Sequence, residues 1–483
     1  MTQTIARVLD RALSRRPDAE AVVGRSGRLT YRQLDEAAGR AAGAFAALGL
    51  RPGDHLAVSL PNDVDVVVAF HGAMRLGLVW IGINTALAPP EKAHIVQDSG
   101  ARFLLDSSFE LTAAMAAAPA APPVDVDPHA PAGIAYTSGT TGLPKGVVHS
   151  QHNLLLPGRV IVAERGYDES LRKGDSLPLT ILNLMVLTTL LTAQAGGCCV
   201  VMDRRDGDGV LDWIRDERVT VWNGVPTQLF DLARKFAHRR ADVATVTEVW
   251  SGGGDCPDSL REEFAAAFGL PVRATYGLTE APTVVAIDPV GSEWRPGASG
   301  RALPHLQARA LNDDGVDVAT GELGEITVST AAAGAWAGQW TPMLGEWSQQ
   351  QMHPNADPLL RTGDLGTIDA DGWLHIRDRR KLVVVRGGAN IYPAEVERVL
   401  LSVRGVAAAA VFGIPSERLG EELAAAVQPV PGARLMVDAL LDACREQLAR
   451  YKVPARWAIV DALPVNAMGK VLRAQLPHLL DAD

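Results

Sequence analysis

A chain of 483 residues is too long for a single hydrophobic core, so two or more domains are expected, and 47% hydrophobic with 21% charged residues supplies ample core for each. A formal charge of −10 works against nucleic acid or an anionic membrane as a main partner, because only short basic runs such as Arg379-Arg380-Lys381 offset the repulsion. Cys198, Cys199, Cys256 and Cys444 have neither metal-ligand nor disulfide-framework spacing, and the N-terminus lacks a signal-peptide core, which together indicate the cytoplasm.

Residues 1 to 130 alternate helical and strand patterns. Apolar spacing predicts helices over 5–15, 34–48 and 64–76 and strands over 21–23, 56–60 and 79–84, the rhythm of a doubly wound parallel sheet. The Ala/Pro-rich stretch 113–131 has little to bury and reads as a surface excursion. Gly133-Ile134-Ala135-Tyr136 then leads, as a short buried strand, into Thr137-Ser138-Gly139-Thr140-Thr141-Gly142-Leu143-Pro144-Lys145-Gly146-Val147. Glycines let backbone N–H groups converge on an anion, Ser138, Thr140 and Thr141 add hydroxyls, and Lys145 adds a compact charge. This is polyphosphate chemistry without the Gly-Lys-Ser/Thr closure of a Walker loop.

Residues 177–202 carry no charge over a length that raises a transmembrane helix, but Pro178, Asn183, Gln194 and Gly196-Gly197 break the run into a buried helix, a turn and a strand over 198–202. A strand over 219–222 turns through Asn223-Gly224-Val225-Pro226-Thr227 into a helix over 228–237, and a strand over 247–250 stops at Ser251-Gly252-Gly253-Gly254. Open α/β sheets hold ligands at such strand ends. A helix over 257–268 precedes the strand that ends in Tyr276-Gly277-Leu278-Thr279-Glu280. Glycine turns at 297–301 and 321–326 mark a β-rich segment, closed by Arg361-Thr362-Gly363-Asp364. Beyond Arg379-Arg380-Lys381-Leu382 lies a small α+β unit of about a hundred residues, with Pro393 at a helix start and Lys470 on the loop Ala467-Met468-Gly469-Lys470.

Taken in order, the runs 136–147, 276–280, 361–364, 379–381 and 467–470 resemble the motifs of the adenylate-forming superfamily, which includes acyl-CoA synthetases, aryl-CoA ligases, firefly-type luciferases and peptide-synthetase adenylation domains. The resemblance implies an α/β fold: an ATP- and acyl-binding N-terminal domain, 1–379, of doubly wound sheets with a β-barrel-like subdomain, and a small mobile α+β domain, 380–483, rotating about Leu382. It implies ATP, Mg²⁺ and coenzyme A as cofactors. Thr137, Ser138, Gly139, Thr140, Thr141, Gly142 and Lys145 would bind phosphate, while Gly253, Gly254 and Tyr276 would face adenine. Asp364 and Arg379 would hold ribose, Thr279 the α-phosphate or acyl carboxylate, and Glu280 the Mg²⁺; Lys381 and Leu382 would form the hinge, and Lys470 would be catalytic.

Two departures stand out. Leu382 occupies a hinge position that is usually charged, and Thr180 and Ile181 stand where the superfamily places an aromatic and a histidine at the acyl tunnel. The neighbourhood Ile181, Leu182, Trp222, Gly224, Val225 and Gly252, with Leu184, Val186 and Val284, reads as a roomy apolar pocket without an acidic anchor for an α-ammonium. The reading is an acyl-CoA ligase for a bulky apolar acid, alicyclic, polycyclic or aryl. Two alternatives stay open: an enzyme that only thioesterifies an adenylate made by a partner enzyme, and an adenylating enzyme that loads a carrier protein. A homodimer also stays open, and a non-enzymatic binding protein is disfavoured because Lys145, Glu280, Asp364 and Lys470 are all present.

Overall fold

Short runs of Val, Ile, Ala and Cys without alternation become strands buried on both faces, and they build two large sheets. The computed structural model describes residues 4–137, 144–387, 389–466 and 471–480. The nine-stranded sheet runs from Arg301–Ala302 through Ala286–Ile287, Val272–Tyr276, Glu248–Ser251, Val221–Gly224, Arg172–Asp175, Cys198–Val201 and Glu20–Gly24 to Gly27–Thr30. Its central pairings are parallel and its edges antiparallel. The seven-stranded sheet runs Gln351–Pro354, Gly345–Ser348, Lys145–Ser150, Pro131–Thr137, Val79–Gly82, His55–Val58, Phe103–Leu105, with parallel pairing from Pro131–Thr137 onward.

The helices Tyr31–Ala47 and Val64–Arg75 lie in a core that joins the two sheets: Val22, Cys199 and Val201 enter it from one, Leu56, Val58 and Trp80 from the other. Both helices start on a side-chain cap, Thr30 with Gln33 in a capping box and Asp63 accepting from the Val64 N–H. The expected N-terminal helix divides into a turn, Ile5–Arg7, and a helix, Asp10–Arg15, because Ile5, Val8 and Leu9 all turn into the core. The stretch 113–131 lies at the surface, with none of its residues buried, yet it is tied down. The helix Ser108–Ala117 takes its first residues, and the Ala121 and Val124 N–H groups bond to the carbonyls of Gly39 and Arg75. The uncharged segment folds as Leu182–Leu184, a π-helical Met185–Leu190 and Leu191–Ala195 before the strand Cys198–Val201, and no helix among the described residues is long and apolar enough to cross a membrane.

A four-stranded antiparallel sheet, Leu306–Leu311, Gly324–Thr330, Leu360–Ile368, Leu374–Arg379, forms the β-rich part of the large N-terminal domain. The smaller C-terminal domain has a five-stranded sheet within residues 384–459, the helices Pro393–Ser402 and Val437–Gln447, and a core of its own containing Ile391, Val396, Leu400, Val427 and Leu440. Among the described residues, contacts that join it to the rest include Asp378 Oδ2 accepting from the Ala394 N–H at 2.8 Å, Arg398 pairing with Asp255 at 2.7 Å and donating to the Ile376 carbonyl at 3.3 Å, and Arg234 donating to the Val406 carbonyl at 2.9 Å.

Candidate active site

Glycine ends the strand Glu248–Ser251 for steric reasons. A Cβ on Gly252 would fall 2.6 Å from Thr275 Oγ1, and Gly253 has a φ of +78°. The neighbouring strand ends at Tyr276, where a Cβ on Gly277 would lie 1.7 Å from the Thr283 carbonyl oxygen, so residues 277 and 283 touch backbone to backbone. The Tyr276 phenol donates to Asp364 Oδ2 at 2.7 Å, while Arg379, in register with Asp364 across two antiparallel strands, places Nε 3.1 Å from Oδ1. Asp364 is buried between the two. Burial, and then the Asp364 charge, push the Tyr276 hydroxyl well above its ordinary pKa, so it stays a donor. Lys381 is held below the usual lysine range by desolvation and then by Arg379, with Asp364 and Glu280 acting in the opposite sense.

Glu280 is half-buried. Neither a hydrogen bond nor an ion pair engages its carboxylate among the described residues, which also contain no cluster of three His, Cys, Asp or Glu side chains fit to cage a metal. A single unengaged carboxylate fits Mg²⁺, which prefers one or two carboxylates and completes its shell with phosphate oxygens and water.

Thr137 and Lys145 face each other across the pair of strands that carries the phosphate loop. Ser138, Gly139, Thr140, Thr141 and Gly142 lie outside the described residues, as does Lys470. Lys145 Nζ is 3.2 Å from Glu346 Oε2, a carboxylate on the adjoining strand Gly345–Ser348. Four residues on, the buried ring of His149 reaches the Thr279 carbonyl, with Nε2 at 2.7 Å. Sequence reading missed Glu346 and His149. Strand alternation offered a signal only for His149, a polar ring two places from Val147 on the same strand.

On the acyl side, Leu182, Leu184 and Val186 share the core between the sheets, and Ile181 and Val225 pack against it. The Thr180 carbonyl sits where Gly82 has no side chain, since a Cβ there would be 1.4 Å away, and Leu182 covers Gly133. Trp222 does not stand with them. It lies in a separate core with Phe230, Val249, Leu260 and Phe264, because the helices Pro226–Lys235 and Asp258–Phe268 cover that face of the sheet, and its ring edge backs Gly224. Val284 belongs to a third core. Lys381 and Leu382 lie in the short turn Arg380–Leu382, anchored by Arg380 to Asp313 at 2.6 Å.

Residues 9–334 match the family model described as AMP-binding enzyme, and residues 395–470 match its AMP-binding enzyme C-terminal domain. A feruloyl-CoA synthase from an Amycolatopsis species is 33% identical over 479 residues, covering 95% of this chain and 96% of that protein. The o-succinylbenzoate coenzyme A synthetase MenE from Bacillus subtilis, solved in complex with ATP and magnesium ion, superposes with a TM-score of 0.84 at 30% identity, over 98% of this chain and 99% of that one. The anthranilate CoA ligase AuaEII, in complex with anthranoyl-AMP, shares the fold with a TM-score of 0.90 at 24% identity, over 99% and 97% of the two chains.

Proposed function

The chain belongs to the AMP-binding enzyme family, and from that premise we propose that it joins a bulky apolar carboxylic acid, aryl, alicyclic or polycyclic, to coenzyme A. It is an acid–thiol ligase. The acid attacks the α-phosphorus of ATP, releasing pyrophosphate and forming an acyl-adenylate; the CoA thiol then attacks the acyl carbon, giving the thioester and AMP. ATP, Mg²⁺ and CoA are its cofactors.

The observation that carries the site assignment is the Asp364 carboxylate, fixed by Tyr276 and Arg379 at the ends of the strands. In this reading Asp364 and Arg379 hold ribose, and Tyr276 lies against adenine, which Gly253 and Gly254 let approach. Thr279 bonds the α-phosphate or acyl carboxylate. Thr137, Ser138, Gly139, Thr140, Thr141, Gly142 and Lys145 hold the departing pyrophosphate. Glu280 would hold Mg²⁺, which supplies charge neutralisation on the phosphates. Lys470, on the small domain, bridges carboxylate and α-phosphate and withdraws when residues 380–483 turn about Lys381 and Leu382 for the second step.

The preference for an apolar acid rests on Leu182 with Ile181 and Val225 packed against its core and on Trp222 backing Gly224, with Gly252 assigned to the same pocket, and a relative named for feruloyl supports an aryl acid. Four free thiols suit the cytoplasm as the compartment. Incubation with ATP, CoA and a panel of acids, read by mass spectrometry, tests the proposal. Aryl or alicyclic thioesters are the expected products; preference for acetate or an amino acid overturns the substrate class.

A further inference from the structure

We propose that His149 is a positioning residue for adenylate formation, tying the Thr279-Glu280 peptide to the strand that follows the phosphate loop. This rests on the roles given above to Thr279 and Glu280.

His149 is fully buried on the strand Lys145–Ser150, opposite Gly133, and its Nε2 meets the Thr279 carbonyl at 2.7 Å across 130 residues of chain. A carbonyl only accepts, so Nε2 carries the hydrogen and Nδ1 presents a lone pair. Nδ1 is buried without a partner. A second proton would therefore bring both a charge and an unmatched N–H into the interior, and burial holds the ring at a pKa of about 4. One tautomer is fixed, with its donor on Thr279. A valine or leucine would fill the same place without stranding a nitrogen, so the bond to Thr279 is what distinguishes the imidazole from an apolar side chain here.

The segment 277–284 leaves the strand Val272–Tyr276 and returns toward Ala286–Ile287. Its base is clamped by the Val285 N–H on the Tyr276 carbonyl at 2.8 Å and by the contact of Gly277 with Thr283. Toward its tip, among the described residues, the one side-chain hydrogen bond that reaches it comes from His149. With the Thr279 carbonyl held, the Thr279 hydroxyl and the Glu280 carboxylate depart from a fixed peptide plane. The same strand begins with Lys145, so a rigid span of about 13 Å sets the distance between the groups at the departing pyrophosphate and those at the α-phosphate. Thr279 and Glu280 serve the step in which phosphates react, which confines the effect to that step.

Three full-length variants test this. The amide nitrogen of His149→Gln reaches the place of Nε2, that of His149→Asn reaches only the place of Nδ1, and His149→Leu has no donor. Each is measured for acid-dependent pyrophosphate exchange, for thioester formation from synthetic acyl-adenylate and CoA, and for amide hydrogen exchange in a peptide covering 277–284. Leu and Asn are expected to lower the exchange kcat at least tenfold, leave the KM for acid and the thioester step within twofold, and speed hydrogen exchange in 277–284; Gln restores the exchange kcat and the hydrogen-exchange rate. Equal loss of both half-reactions, or unchanged hydrogen exchange in the Leu variant, overturns the inference. Absence of pyrophosphate exchange in the parent protein would instead count against the proposed function, and the hydrogen-exchange comparison would still decide the role of His149.

Discussion

The phenol of Tyr276 donates to Asp364 at 2.7 Å, joining the ring proposed to face adenine to the carboxylate proposed to hold ribose, 88 residues along the chain. The two contributions are separable. Tyr276→Phe keeps the ring and leaves Asp364 with Arg379, and the bond it removes is internal to the protein with and without ATP, so the KM for ATP in pyrophosphate exchange should stay within about threefold of the parent. Tyr276→Ala removes base stacking of about 1–3 kcal/mol and should raise that KM about tenfold or more. Asp364→Ala should raise it about thirtyfold, for a charged hydrogen bond of about 2 kcal/mol.

Lys145 is engaged by Glu346, and both side chains are about half exposed. An exposed pair of this kind contributes about 0.2–1 kcal/mol, so Glu346→Ala should leave the thermal midpoint nearly unchanged while freeing Lys145 for phosphate. Product inhibition by pyrophosphate should strengthen in that variant. Lys145→Ala should weaken it and slow adenylation, yet spare thioester formation from supplied acyl-adenylate.

Gly82 lets the Thr180 carbonyl lie against the seven-stranded sheet, and a methyl group there would sit 1.4 Å from that oxygen. Gly82→Ala must displace Thr180 and with it Ile181 and Leu182. Urea unfolding should show a loss at or above the upper end of about 1–3 kcal/mol, and the surviving activity should shift its preference among acids of different width.

Three buried imidazoles titrate far below an exposed histidine: His71 and His305 at about 3 and His149 at about 4, each through burial. Below pH 6.5 the unfolded chain takes up protons that the folded chain refuses, so each of the three removes stability as pH falls, by up to about 1.4 kcal/mol per pH unit, until the folded ring protonates. Above pH 6.5 the contribution is constant. His305→Leu should therefore make the slope of unfolding free energy between pH 6.5 and 5 shallower than in the parent, by up to about 1.4 kcal/mol per pH unit near pH 5, as measured by urea titration at each pH.

What the sequence made legible was local. Glycine stops, the Thr-Gly-Asp run and the Tyr-Gly-Leu-Thr-Glu run announce themselves because backbone geometry restricts which residues fit, and the α/β alternation follows from period. Partners were hidden. Glu346 meets Lys145 from 201 residues away, His149 meets Thr279 from 130, and only strand order brings them together. The core that Trp222 joins was hidden for a similar reason: alternation puts it on the face of Gly224, but which core covers that face depends on helices elsewhere in the chain.

Asp378 ends one body of the protein and begins to serve another. The helix Pro393–Ser402 has no cap of its own, since Tyr392 at its N-cap offers no side-chain bond, and the Asp378 carboxylate supplies one from the last strand of the four-stranded sheet. The proposed rotation about Lys381 and Leu382 would withdraw that cap. Under that proposal the present orientation is held by about 1 kcal/mol, about fivefold in population. A carboxylate that touches neither acid nor nucleotide in the proposed site would then bias how long the enzyme dwells in the first of its two proposed postures.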